Sequence, residues 1–282
     1  MTKKLIALLL FILLALLAGG VTGTGEETPE LSLYAINVGK ADALLLRSGD
    51  TAYLIDTGTE DSWPALRDAL RAEGIIKLDG VILTHTHKDH TGGFSYLLES
   101  GIAIGQVYAS GYYNKKNESK HPAVKALKEQ NIDMEVTFLV SGDTVPLDGG
   151  TLEVLGPLAK NEEENNNSLV LLAAGGGGTM LLAGDMEFPE EQTLLDAGLI
   201  SHADVLKVGN HGNPDATGEV FLEAVCPKAV VFTTDSSVEP DTPAVRILNW
   251  LKQHDVTVYQ TQETKNGVLI TLKNGEIAAE FK

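Results

Sequence analysis

Residues 80–93 read Gly80-Val-Ile-Leu-Thr84-His85-Thr-His87-Lys-Asp89-His90-Thr-Gly-Gly93. An apolar run of strand type ends at Thr84. Four side chains able to ligate a metal then occupy six positions. His85 and His87 lie two apart, so an extended backbone turns both to the same side. Asp89 and His90 follow as the chain turns toward a helix. Neutral imidazoles and a carboxylate suit zinc or a similar divalent ion. The plain alternative is a polar loop whose side chains cap the next helix. Histidine usage speaks against it, because three of the chain's seven histidines fall within these six residues.

On both sides of this stretch, short runs rich in Val, Ile and Leu recur. They cover 31–38, 43–47 and 52–55 before it, then 134–140, 151–155, 169–173, 180–183, 205–208, 229–233, 256–260 and 267–273 after it. Such runs read as strands. Helical patterns intervene. Ser62-Trp63-Pro64 opens one, with Leu66 and Leu70 at helical spacing, and others cover 93–99, 123–130, 189–197, 218–225 and 244–254. Gly175–Gly178 separates two apolar runs with no helix or Lys behind it, so it reads as a hairpin turn rather than a phosphate loop. No Pro/Ser linker or charge block divides residues 31–282. The pattern predicts one α/β (α+β) domain of mixed sheets with helices outside.

Composition narrows the function. The chain has 282 residues, 21 Lys+Arg against 39 Asp+Glu, and a formal net charge of −18. That balance disfavours a protein that holds nucleic acid by neutralising phosphates, although bound metal could supply local positive charge. The single cysteine, Cys226, excludes an internal disulfide framework and a cysteine-rich zinc module. It precedes Pro227 and is expected to be a buried thiol. At the N-terminus Lys3 and Lys4 precede the apolar run 5–18, followed by small residues. Residues 1–24 read as a signal peptide, with an uncleaved membrane anchor as the alternative. Either places the domain outside the cytoplasm, secreted or anchored.

Further stretches, in a fixed order, make the His-x-His-x-Asp-His pattern specific. They are Val38-Gly39-Lys40-Ala41-Asp42-Ala43, Leu54-Ile55-Asp56-Thr57-Gly58, Asn165-Asn166-Asn167-Ser168-Leu169-Val170, Leu182-Ala183-Gly184-Asp185 and Leu206-Lys207-Val208-Gly209-Asn210-His211-Gly212. Together they resemble the metallo-β-lactamase-fold hydrolases, and among these the competence-protein ComEC type. The resemblance implies a four-layer αββα sandwich of two mixed β-sheets flanked by helices, with two divalent metal ions, Zn2+ by default and Mn2+ as the alternative. It implies that one ion takes His85 and His87, the other Asp89, His90 and His211, and that Asp185 bridges them. Asp89, Asp185 and His211 would then carry the catalysis, with Asp56 either holding the His loop from behind or serving as an ordinary carboxylate of a strand-end turn.

Several positions depart from the family pattern. A further His is usual between the first motif and Gly-Asp. Here that interval holds only His121, read either as a ligand or as a surface histidine, and Asn165 or Asn166 stands where the ligand would fall. A usual His-His pair is Asn210-His211. Gln-Gly is replaced by Lys40-Ala41, and an expected His-Pro by Thr242-Pro243. Lys207 is read as a contact for an anionic substrate or as an ordinary ion-paired side chain. The implied function is hydrolysis of a small or polymeric ester by a metal-activated water, with phosphodiesters and phosphate esters favoured. Nucleic acid as substrate is disfavoured by the acidity, and membrane contact is confined to the N-terminal segment. The alternatives are a noncatalytic metal-stabilised binding module and a lactam or thioester hydrolase.

Overall fold

Alternation of buried side chains builds two sheets that share one core. A computed structural model describes residues 29–282. The first sheet begins with β1 (Leu31–Ile36), β2 (Leu44–Ser48) and β3 (Thr51–Ile55). A small ribbon of β4 (Lys77–Leu78) and β6 (Ala103–Ile104) flanks β5 (Gly80–Leu83), and β7 (Val107–Ser110) and β8 (Val136–Leu139) complete the N-terminal part. The second sheet holds β9 (Thr144–Leu147), β10 (Gly150–Gly156), β11 (Val170–Gly175), β12 (Gly178–Leu182), β13 (Val205–Lys207), β14 (Ala229–Phe232) and β15 (Thr257–Gln260). The chain then returns to the first sheet with β16 (Gly267–Lys273) and β17 (Glu276–Phe281). The orders are β17-β16-β1-β2-β3-β5-β7-β8 and β15-β14-β13-β12-β11-β10-β9. Both sheets are mixed: β3, β5, β7 and β8 run parallel, as do β12 to β15, and the remaining pairs are antiparallel.

Successive strand residues point to opposite faces. Leu31, Leu33, Leu44, Leu46 and Ile82 of the first sheet therefore meet Leu152, Leu171, Met180, Leu182 and Val231 of the second in a shared core. Residues of the other parity, such as Tyr34, Leu45, Leu54 and Val81, pack under α1 (Trp63–Ala72), α3 (Phe94–Glu99) and α4 (Pro122–Glu129). The four-residue α2 (Lys88–Thr91) lies between α1 and α3 in the chain. On the far side Val170, Leu181, Leu206 and Phe232 pack under α5 (Phe188–Asp196), α6 (Glu219–Val225) and α7 (Val245–Gln253). This is the expected four-layer αββα sandwich. Coverage on both faces explains why β1, β5 and β14 are buried at every position. Each such Leu, Ile or Val contributes roughly 1.5–3 kcal/mol on burial.

The helices follow the sequence pattern closely. In α1, Leu66, Ala69 and Leu70 form the buried stripe, and Pro64 occupies the first turn, where its missing N–H costs nothing. Gly176 and Gly177, both at positive φ, make the β11–β12 hairpin turn. Cys226 corrects an expectation: it is exposed, in a left-handed conformation at the end of α6, because a C-terminal helix cap turns outward there. The N-terminal targeting segment lies outside the described residues. Among those residues, no helix is long and apolar enough to cross a membrane.

Candidate metal centre

Parallel strands bring the motifs to one edge. Ile55 of β3 sits opposite Ile82 of β5, so Asp56 and the His loop leave adjacent strands at the same end. In the second sheet Leu182, Lys207 and Val231 stand side by side across β12, β13 and β14. Asp185, His211 and Thr233 follow these strand ends. The crevice beyond the carboxyl ends of parallel strands is where open α/β sheets place ligands. The two sheets are tied there by Leu169 N–H donating to the Thr84 carbonyl at 2.9 Å. The His loop is pressed against residues 57–60. Thr57 donates to the His90 carbonyl through its N–H at 2.7 Å and through Oγ1 at 2.9 Å. A Cβ on Gly93 would strike the Thr57 carbonyl, so that position needs glycine.

Behind each ring an acceptor fixes the tautomer. His90 Nδ1 lies 2.7 Å from Asp56 Oδ2. Because a carboxylate only accepts, Nδ1 carries a proton and Nε2 is the atom turned to the site. His211 Nδ1 lies 2.9 Å from the Thr233 carbonyl, with the same result. Thr84 Oγ1 donates to Asp56 Oδ2 at 2.7 Å, so it accepts from His85 Nδ1 at 3.2 Å. Such outer partners orient metal-binding histidines. The Nε2 atoms converge: His90 Nε2 is 3.1 Å from Asp185 Oδ2, and His211 Nε2 is 3.4 Å from Asp185 Oδ1 and 3.6 Å from Asp89 Oδ2.

Burial and charge oppose one another across this cluster. Burial opposes a charge on His90, but Asp185 and Asp56 outweigh it and hold the imidazolium well above its ordinary range. At His211 burial is likewise outweighed, by Asp185, Asp89 and Asp42, and the ring is held up to about 9. Burial alone would push the Asp185 carboxyl up, but His211 and His90 keep it well below the usual carboxylate range. Burial and the neighbouring His90 push His85 well below 6.5. A divalent cation would take the place of the two imidazolium protons.

Asp89, His90, Asp185 and His211 place ligand atoms within 4.8 Å of one another. Among the described residues, His90 Nε2, His211 Nε2 and Asp185 Oδ1 are buried and find no hydrogen-bond partner. Buried polar atoms are rarely left so, and nitrogen and carboxylate donors of this type fit a divalent ion. His85 is buried beside them, its Nε2 3.8 Å from Asp185 Oδ2 and 3.0 Å from His87 Nδ1. His87 is exposed. A second acidic cluster, Asp42, Asp56 and His90, lies behind the first. Its carboxylates are already engaged, Asp56 by Thr84 and His90, and Asp42 by Lys207 and Thr233.

Other candidates fall elsewhere. Lys207 is fully buried in an ion pair with Asp42, so it is not a contact for substrate. His121 is neither a ligand nor a surface histidine. It is buried, caps α4 by accepting from Ala123 N–H at 3.3 Å, packs 5.0 Å from Tyr113, and is pushed down to about 4 by burial. Asn166 is engaged at both ends by Glu187. Asn165 donates to Glu187 at 2.7 Å, and its carbonyl oxygen finds no partner among the described residues. Asn210 donates to the same carboxylate at 3.2 Å. Lys40 pairs with Glu239 at 2.8 Å. Sequence reasoning missed Asp42, Thr84, Glu164, Glu187 and Thr233 as supporting residues. Glu164 accepts from the N–H and hydroxyl of Thr86, between His85 and His87, and from Asn114 N–H at 2.7 Å. Asp42 had a signal, a lone acid inside a buried apolar stretch.

The chain is 29% identical over 253 residues to ComE operon protein 3 of Bacillus subtilis, covering 83% of this chain and 32% of that protein. It is 27% identical over 255 residues to competence protein ComA of Neisseria gonorrhoeae, covering 87% and 33%. The chain thus spans about a third of the length of these curated relatives. Among solved structures, the metallo-beta-lactamase fold protein YhfI from Bacillus subtilis aligns with a TM-score of 0.54 at 14% identity, over 86% of this chain and 99% of that one, a likeness of fold alone. The family model described as Metallo-beta-lactamase superfamily matches residues 36–247, and the chain belongs to that superfamily.

Proposed function

We propose that this chain is an extracytoplasmic metal-dependent hydrolase acting on phosphodiester or phosphate-ester bonds through a dinuclear centre. The carrying observation is the set of buried, unpartnered ligand atoms on His90, His211 and Asp185 at the strand ends. Asp89, His90 and His211 would hold one ion, His85 and His87 the other, with Asp185 shared. When bound, such ions supply a water acidified to near neutrality and a Lewis acid for the attacked oxygen. Zn2+ fits the donor set, and Mn2+ is the alternative.

The chain's own residues do the rest. Asp56 and Thr233 keep the His90 and His211 protons on Nδ1, away from the centre. Asp89 is the half-exposed member of the cluster, and His211 and His90 outweigh its burial and hold its carboxyl well below the usual range, so it stays an anionic ligand. The motif resemblance to the ComEC type of hydrolase supports the phosphodiester reading. The Lys3-Lys4 start and the apolar run behind it support export.

The test is a substrate screen of the purified protein with metal content measured alongside. Two equivalents of metal and chelator-sensitive hydrolysis of a bis-aryl phosphodiester are expected. Full occupancy without turnover of any phosphodiester, phosphomonoester, lactam or thioester would establish the noncatalytic module instead. Turnover of a lactam or thioester alone would move the activity to that class. N-terminal sequencing of the mature protein tests export.

A further inference from the structure

Lys207 is among the largest fully buried side chains of the protein, at 0% exposure, and a lysine in that position demands a reason. It ends β13 in the second sheet, whereas its partner Asp42 lies on the β1–β2 loop of the first. Besides the ion pair, Lys207 Nζ donates to the Gly184 carbonyl at 3.0 Å, one residue before Asp185. Asp42 in turn reaches the other ligands. Its N–H donates to the Asp89 carbonyl at 3.2 Å. Its Oδ1 accepts from Thr233 Oγ1 and lies 3.5 Å from His211 Nδ1, and its Oδ2 lies 4.0 Å from His90 Nδ1.

We propose that Lys207 and Asp42 form a brace between the two sheets that sets the spacing of the metal ligands, with Lys207 a positioning residue. Asp89 and His90 come from the first sheet, and Asp185 and His211 from the second. The Asp42–Lys207 pair hydrogen-bonds to the Asp89 backbone, to Gly184 beside Asp185 and to Thr233 behind His211, and it lies 4.0 Å from the His90 ring. A buried ion pair is weak evidence for stability, since neutral residues of similar volume often serve as well. Fixing geometry is a different role. The pair also leaves no net charge behind a centre already holding several carboxylates.

The inference rests on the ligand assignment above but not on turnover, so the test reads metal affinity. In the full chain, Lys207→Met with Asp42→Asn removes both charges together. Competition against a chromogenic chelator should show affinity reduced roughly 10–100-fold, as for other outer-partner changes. The ligand-field spectrum of the Co2+-loaded protein should change as well, while the metal-free variant still melts cooperatively. Lys207→Gln alone, which keeps a donor for Gly184, should recover part of the affinity. If the double variant does not fold, Asp42→Asn alone, which breaks the ion pair and keeps the contact of Lys207 with Gly184, must show a loss of affinity. Affinity and spectrum matching the parent in a folded variant would overturn the brace. A parent that binds metal without hydrolysing any ester would defeat the proposed function and leave the brace to be judged on affinity. A parent that binds no metal would defeat both.

Discussion

His90 Nδ1 and Asp56 Oδ2 stand 2.7 Å apart with both residues fully buried. The carboxylate also accepts from the Thr84 N–H at 2.8 Å and the Thr84 hydroxyl. Asp56→Asn would turn an amide N–H toward one of these donors, and at His90 it would drive the proton onto Nε2, where it blocks a metal. A loss of roughly 10–100-fold in metal affinity is expected by chelator competition. Unchanged affinity in the folded variant would refute the tautomer argument.

His87 behaves differently because it is exposed and its side chain meets His85 at 3.0 Å. His87→Ala should change stability by less than about 0.5 kcal/mol in urea unfolding. Metal content by elemental analysis should fall from two ions to one, since Asp89, His90, Asp185 and His211 remain. Two ions retained would place the second ion elsewhere.

Removing metal should lower stability without unfolding the chain, since protons on His90 and His211 already balance Asp185. Free metal at about 100 times its Kd adds roughly 2.7 kcal/mol to the folded state. For a domain of this size that is a rise of about 5–10 °C in melting temperature. Calorimetry with and without chelator measures it, and identical melting curves would count against a site in the folded protein.

Glu190 gives a pH signature remote from the metal ligands. Burial pushes its carboxyl up from 4.5 to about 7. Folding therefore favours the protonated form. That contribution is full below the unfolded value and is lost as pH rises through about 7. Glu190→Gln keeps an acceptor for the Leu158 N–H. It should leave stability unchanged near pH 4 and raise it by about 2 kcal/mol near pH 8. Equal effects at both pH values in chelator-treated protein would refute it.

Much of this was legible in the sequence, for identifiable reasons. The His loop is contiguous, so its ligands announce themselves, and buried strands such as β5 and β14 read as unbroken apolar runs. The missed strands β7, β9 and β17 lack that signal. β9 is Thr-Val-Pro-Leu, with Pro146 facing out on an edge strand, and β17 is mostly exposed. The supporting residues were illegible because their roles depend on long-range contacts. Lys207 meets Asp42 across 165 positions of chain, and only the packing of the two sheets makes that lysine buried. His121 misled because a histidine beside Pro122 resembles a loop residue until Tyr113 and Phe138 close around it.

Asn210 and His211 are consecutive non-glycine residues in left-handed conformations, at φ 42 and φ 54. Such backbone costs roughly 1–2 kcal/mol per residue. The segment 209–213 is therefore held against its own preference by its surroundings. When the protein opens locally, the strained segment gains most by letting go, and His211 leaves with it. An ion leaving the centre would then exit through this loop, and its rate of exchange with solvent would follow the hydrogen exchange of the amides of residues 209–213.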